Sequence, residues 1–405
     1  MQKLVISHRI YTERGCLDGA LLIEDDKIKQ IYTRENIPDD YCGTIEDYGN
    51  DRIIPGIIEM HVHGFKGWSA FSSDVEEIRK LGKALTVSGI TGFTPTNHYK
   101  PNIMENAAAL ADAYEGPRYG ARNLGIHMEG PFISAKTLGS VEADDLHEPD
   151  LDLMKKFYEA SRGHINTVTM APEVPGNMEI LDWLVAHGVN PCIGHSYATY
   201  AECKKAVDHG AVITQKTGNC MRQIHQREVG VVGAAMLDRR LYNEINSDLA
   251  HCSKEFLEIL YRMKGYEKLC LVADNGRMSG LAFGRYDLKE RGGKYEVGKD
   301  GLLHIADGTI DGSALTIMHG IRNWVEVIGI PMEEAIVMAS LNPAKVCHVD
   351  HQKGSIKEGK DADYVVIDDA YQVLHTVVEG TIEYDCQNGF NYDNKEYADC
   401  LMEAY

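Results

Sequence analysis

Eight apolar segments, each followed by an amphipathic one, constrain the fold of this chain more than any other feature. They read IIPGIIEMHVH, GITGFTPTNH, NLGIHMEG, INTVTMAPE, NPCIGHS, AVITQK, LYNEINS and KLCLVAD. Apolar runs of this length suit strands covered on both faces, as in a parallel sheet. Helical apolar spacing fills the gaps between them, as at 74–88, 178–187, 199–209 and 253–264. Eight strand–helix units over about 300 residues predict a (β/α)8 barrel of the TIM type. A doubly wound sheet is the alternative, but no GxGxxG follows the first strand. Both chain ends have a different texture. LVISHRIYTERG, GALLIEDDKIKQIYT, GTIEDYG, GSIKEGKDADYVVIDD and YQVLHTVVEGTIEY alternate apolar and polar residues between turn signals. The expected organisation is a barrel over 53–354 and a small β-sandwich domain from 1–52 and 355–405.

Composition narrows the function. A formal charge of −20 argues against a nucleic-acid partner. It leaves room for a small anionic substrate, which needs one local basic pocket. No apolar run reaches the length of a membrane span, and the first residues lack the apolar core of a signal peptide. Ten cysteines are scattered without a CxxC pair. That pattern fits reduced thiols in a cytoplasm.

Polar residues collect at the C-terminal ends of the candidate strands. His61 and His63 close the first, Glu129 the third, His195 the fifth and Asp274 the eighth. Residues i and i+2 of a strand share a face, so His61 and His63 leave the strand end together. In a (β/α)8 barrel these strand ends ring one mouth, where active sites sit. Any of these residues alone has an ordinary explanation as a cap, turn or backbone-satisfied histidine. Together, at one end of successive strands, they read as a metal site.

The strings PGIIEMHVHG, GIHMEGPFIS, GHSYATY, REVGVVGAAMLD, LVADNGRMSG, DGSALT and MASLNPAKV carry a family resemblance, as does GSIKEGKDADYVVID. The chain resembles the amidohydrolase superfamily and, within it, the N-acetylglucosamine-6-phosphate deacetylases. The resemblance implies a distorted barrel with a β-sandwich built from both termini, and deacetylation of an N-acetylamino sugar phosphate with one or two divalent metals. By position it implies one metal site from His61, His63, Glu129 and Asp274, and part of a second from Glu129 and His195. It implies Asp274 as the general base, which takes a proton from water and delivers it to the leaving amine. It matches His251 to a substrate-facing histidine and Arg227 to an arginine that holds the sugar phosphate, as bidentate donation to a dianion favours. Asn219 and the backbone at Cys220 fall where the family completes the phosphate contacts. It also implies a homodimer in which a partner subunit approaches the phosphate. Zinc is the first expectation for the metal, with iron and manganese as alternatives.

Two departures qualify this expectation. The family's sixth strand ends in a run like THLFNAM, whose histidine is a ligand of the second metal. Here the run is TQKTGNCM, which puts Lys216, or with a one-residue shift Gln215, at that position. A protonated lysine has three donors and no lone pair. The second site is therefore expected to be degenerate. Either the Lys216 ammonium pairs with Glu129 in place of the ion, or the side chain points to solvent. The second departure follows EGPF, where a KGAH-like run supplies a sugar-facing histidine in the family. Here Leu138, Gly139, Ser140 and Val141 occupy that stretch, and His147 lies six residues beyond. The expected reaction is conversion of N-acetylglucosamine-6-phosphate to glucosamine-6-phosphate and acetate. The alternatives are an amidohydrolase or deaminase acting on another amide or amidine, or an inactive sugar-phosphate-binding homologue.

Overall fold

The computed structural model describes residues 2–288 and 293–388. At its centre eight parallel strands lie in chain order: Ile57–Val62, Ile90–Asn97, Ile126–Glu129, Ile165–Met170, Asn190–Ile193, Ile213–Thr214, Tyr242–Asn246 and Leu269–Val272. Each falls inside one of the eight apolar runs. The ring is drawn together by a parallel bridge between Val62 and Asn275. There the His63 N–H donates to the Asn275 carbonyl at 2.8 Å. Nearly every side chain of these strands is buried, which is why they read as unbroken apolar runs rather than alternating ones.

Seven helices connect the strands, from Val75–Leu85 to Lys254–Lys264. Their starts follow from capping. Asp74 accepts from the Glu76 N–H, Thr199 forms a capping box with Glu202, and Ser253 accepts from the Phe256 N–H. Apolar stripes such as Ile78, Leu81 and Leu85 then pack onto the barrel.

Both chain ends build one eight-stranded sheet beside the barrel. Its order is Thr381–Asp385, Val373–Val378, Tyr364–Ile367, Arg52–Pro55, Gln2–Thr12, Gly15–Glu24 and Lys27–Thr33, with Thr44–Asp47 also pairing to Gln2–Thr12. This is the small β domain expected from the texture of the termini. Residues 389–405 of that expected domain lie outside the described residues. Val365, Ile367 and Tyr371 join Ile54 and Ile57 in the main core, so sheet and barrel share apolar packing.

One element was not foreseen. After the eighth barrel strand, Gly284–Leu288, Gly293–Val297, Leu302–His304 and Ile310–Ser313 form an antiparallel sheet with its own core around Tyr286, Tyr295 and Leu303. It returns the chain to the barrel mouth, where Asn275 bridges to Ser313.

Candidate active site

A cavity of about 600 Å3 opens at the C-terminal ends of the barrel strands. His63, Glu129, His195, Lys216, Asn219, Cys220, His251 and Asp274 all line it. His61 and Gln215 stand directly behind them, fully or almost fully buried. Arg227 is not brought to this cavity. It is exposed on the segment between the sixth strand and the next helix.

Four residues converge most tightly. His61 Nε2 lies 3.3 Å from His63 Nε2, 3.3 Å from Asp274 Oδ1 and 3.8 Å from Glu129 Oε1. His63 Nε2 is 3.2 Å from Glu129 Oε2 and 3.5 Å from Asp274 Oδ1. Tetrahedral coordination with bonds of about 2.0–2.2 Å requires ligand–ligand separations of roughly 3.3–3.6 Å. The donors of His61, His63 and Asp274 therefore already have the spacing of metal ligands, and Glu129 flanks them with Oε1 towards His61 and Oε2 towards His63. Asp274 Oδ1 is buried and accepts no hydrogen bond, which a cation in the cage would remedy.

The imidazoles are held from behind. His61 Nδ1 meets Glu244 Oε2 at 3.1 Å, His63 Nδ1 meets the Thr96 carbonyl at 3.0 Å, and His195 Nδ1 meets the Thr137 carbonyl at 2.9 Å. With Nδ1–H donating to each acceptor, a deprotonated Nε2 on each ring would present its lone pair to a cation in the site. Burial would strip a proton from His63, but the Asp274 and Glu129 carboxylates beside it outweigh that and raise the group to about 9, holding a proton that a bound cation would replace. The carboxylate pair makes this a place where positive charge is favoured.

Glu129 divides the site in two. Its Oε2 faces His63. Its Oε1 is crowded by His195 Nε2 at 2.9 Å, Gln215 Nε2 at 2.7 Å and Lys216 Nζ at 2.8 Å. Lys216 Nζ also lies 3.4 Å from Asp274 Oδ2. Its side chain thus turns into the site and not to solvent, and Gln215 reaches the same oxygen. Burial works against the ammonium, but Asp274 and Glu129 prevail and hold it firmly protonated.

Backbone geometry helps to aim these groups. His195, Lys216 and Asp274 have φ of 44°, 39° and 59°. Left-handed backbone costs a non-glycine residue on the order of 1–3 kcal/mol, and such strain gathers at functional sites. Here it turns the chain sharply just past a strand end.

Two buried residues escaped the sequence reading. Glu244, in the seventh strand, braces His61 and also accepts from the Lys216 N–H at 3.4 Å. His98, just past the second strand, lines the cavity and packs edge-on to Phe71 and His63. His63, His98 and Glu129 present ligand-type atoms within 4.8 Å of one another. The signal for His98 was its place at the same strand end as the HxH pair. His147 packs against Tyr99 with ring centroids 4.0 Å apart and planes tilted by 55°, and it does not line the cavity.

Asn219, Cys220 and His251 form one wall. Asn219 Nδ2 is 3.6 Å from Cys252 Sγ, and His251 Nδ1 is 2.7 Å from Asp248 Oδ2. Lys100 and Arg277 bring further positive charge to the lining. Lys100 is paired with Asp145 at 2.6 Å and Arg277 with Glu77 at 3.4 Å.

Residues 52–383 match the model of the amidohydrolase family. The chain belongs to the amidohydrolase family. This amidohydrolase is 31% identical to N-acetylglucosamine-6-phosphate deacetylase of Lysinibacillus sphaericus, over 90% of its own length and 93% of that protein. It is 29% identical to N-acetylgalactosamine-6-phosphate deacetylase of Escherichia coli O157:H7, over 94% and 99%. The crystal structure of N-acetylglucosamine-6-phosphate deacetylase from Pasteurella multocida superposes with a TM-score of 0.87 at 27% identity. That match covers 94% of this amidohydrolase and 99% of the other chain. Among the described residues no helix is long and apolar enough to cross a membrane, and the nine described cysteines are free.

Proposed function

We propose that this amidohydrolase removes acetate from an N-acetylamino sugar phosphate in a cytoplasm, with N-acetylglucosamine-6-phosphate as the first candidate substrate. The observation that carries the reading is the convergence of His61, His63 and Asp274, with Glu129 beside them, at a cavity of substrate size. The deacetylase relatives, matched over nearly their whole length, supply the substrate class.

A divalent ion in the cage, with zinc first and iron or manganese as alternatives, would lower the pKa of a water towards 7 and polarise the amide carbonyl. The remaining work falls to the chain. Asp274 stays ionised because burial, which favours its neutral form, is outweighed by Lys216 and the two histidines. Its carboxylate takes the proton of the attacking water and returns it to the departing nitrogen, since an amine leaves only when protonated. Phe71 and Tyr295 give the cavity apolar walls, and Asn219, the backbone at Cys220 and His251 meet the sugar phosphate. Arg227 faces solvent in the single chain. It reaches an anion only if the loop moves or a second copy packs against this face, and a homodimer would allow the latter.

A second reading draws on one observation. The loop at Gly139, Ser140 and Val141 lines the cavity without an imidazole, and His147 does not replace one. Another amide or a cyclic amidine would suit such a wall. An inactive sugar-phosphate binder is disfavoured, because binding alone needs no buried proton carrier such as Asp274.

Acetate release separates these readings. Metal-loaded protein is expected to deacetylate N-acetylglucosamine-6-phosphate or N-acetylgalactosamine-6-phosphate, and Asp274→Asn is expected to be almost silent. No acetate from either sugar would reject the proposal. Faster turnover of unphosphorylated amides would favour the second reading.

A further inference from the structure

We infer that Lys216 is a built-in second cation, whose ammonium occupies the place beside Glu129 and His195 that a second divalent ion would take and so limits each chain to one metal. The inference rests on the reading of the His61/His63 cage as a metal site.

The atoms around Lys216 Nζ are those a divalent cation would choose. Glu129 Oε1 stands at 2.8 Å and Asp274 Oδ2 at 3.4 Å. His195 Nε2 is 2.9 Å from the same Glu129 oxygen, and its Nδ1 is committed to the Thr137 carbonyl. Carboxylate and imidazole donors at the mouth of a barrel form a divalent-metal set. What stands among them is an ammonium with three donors and no lone pair, which can neutralise the carboxylates but cannot ligate.

Three further observations fix the lysine there. Its side chain is only 12% exposed. Its backbone holds a left-handed φ of 39°, and its N–H is tied to Glu244 Oε2, the oxygen that also braces His61. Gln215 adds a donor to Glu129 Oε1 at 2.7 Å. That oxygen thus faces the Gln215 amide and the Lys216 ammonium at 2.7 and 2.8 Å, two donors that take up both its lone pairs. No electron pair on it remains for a metal. Glu129 Oε2, on the His63 side, stays available to the cage. A second divalent ion would have to displace the ammonium or sit against it, within a few ångströms of the first.

The test is a metal count on buffer-exchanged, metal-reconstituted protein by inductively coupled plasma mass spectrometry, with cobalt(II) titrations followed by absorption and acetate release measured on the same samples. Wild type is expected to hold one ion per chain and to saturate at one equivalent of cobalt. Lys216→His, which offers an imidazole to the ion between Glu129 and His195, is expected to hold two. Two tightly held ions in wild type would overturn the inference, as would a folded Lys216→His that still takes one. One ion without acetate release would support the inference and overturn the deacetylase reading. No bound ion at all would overturn both.

Discussion

Glu244 has no exposed surface, and its Oε2 lies 3.1 Å from His61 Nδ1. A rear acceptor of this kind fixes the tautomer of a metal-ligating histidine, and its loss typically costs 10–100-fold in metal affinity. Burial drives the Glu244 carboxyl pKa well upward, so what His61 needs from it is an oxygen acceptor rather than a charge. Glu244→Gln, which keeps a carbonyl oxygen, should therefore bind metal close to wild type. Glu244→Leu should weaken binding by about 10–100-fold. Competition with a chromophoric chelator measures both, and equal losses would show that the charge matters after all. Asp274 offers a second contrast. Asparagine tolerates left-handed backbone, so Asp274→Asn keeps the φ of 59° while losing the carboxylate proposed to carry the proton. Its kcat should fall by roughly 10²–10⁴, with part of the metal retained, whereas His61→Ala should lose metal and activity together. Parallel metal counts and rates separate the two. The HxH pair was legible because strand geometry alone puts i and i+2 on one face. Glu244 was not, since an acidic residue in LYNEINS looks the same whether it meets water or His61.

Among the elements, the eight barrel strands could be read because parallel strands buried on both faces need unbroken apolar runs. Helix starts were legible for a local reason, as Asp74, Thr199 and Ser253 each cap a first turn. The antiparallel sheet between Gly284 and Ser313 was missed because its strands are short and mostly polar outside. Only contacts such as Tyr286, Tyr295 and Leu303 reveal a common core. The sixth strand shows another limit. It ends at Thr214, so Gln215 and Lys216 both leave the sheet and both reach Glu129. A one-residue alignment choice between them had no single answer, because the two side chains share the position. Close approach of the fifth and sixth strand ends makes this possible. A Cβ at Gly194 would strike Gln215 Oε1 and the Thr169 side chain. Gly194→Ala should therefore push Gln215 off Glu129 and disturb His195 beside it. We expect at least about a tenfold loss of kcat/KM, since misplacement by about 1 Å can cost 10²-fold. Steady-state kinetics with a thermal melt checks this. A variant with wild-type kinetics would show that Gln215 is not needed where it stands.

Across the whole molecule, the terminal sheet and the barrel meet over charge as well as apolar packing. Glu379, just after Val373–Val378, accepts from Arg122 Nη2 at 2.7 Å and Arg118 Nε at 3.2 Å, and Lys353 Nζ lies 3.3 Å away. Glu383 on the next strand pairs with Lys83 at 2.5 Å and with Arg118. Lys83, Arg118 and Arg122 belong to the barrel, so these pairs orient one unit on the other. Burial alone would raise the Glu379 carboxyl, but Arg122, Lys353 and Arg118 outweigh it and pull it down to about 2. A carboxylate whose folded value lies below its ordinary 4.5 adds stability at pH above 4.5. That contribution shrinks as pH falls from 4.5 and is gone below about 2. The group is partly open to solvent, so screening leaves a contribution of ~1–2 kcal/mol. Glu379→Gln should thus be less stable than wild type by that amount at pH 7, and the gap should close steadily between pH 4.5 and pH 2. Urea denaturation at pH 7, 5, 4 and 3 provides the measurement. A gap as wide at pH 3 as at pH 7 would mean that Glu379 holds sheet to barrel through packing rather than through its charge.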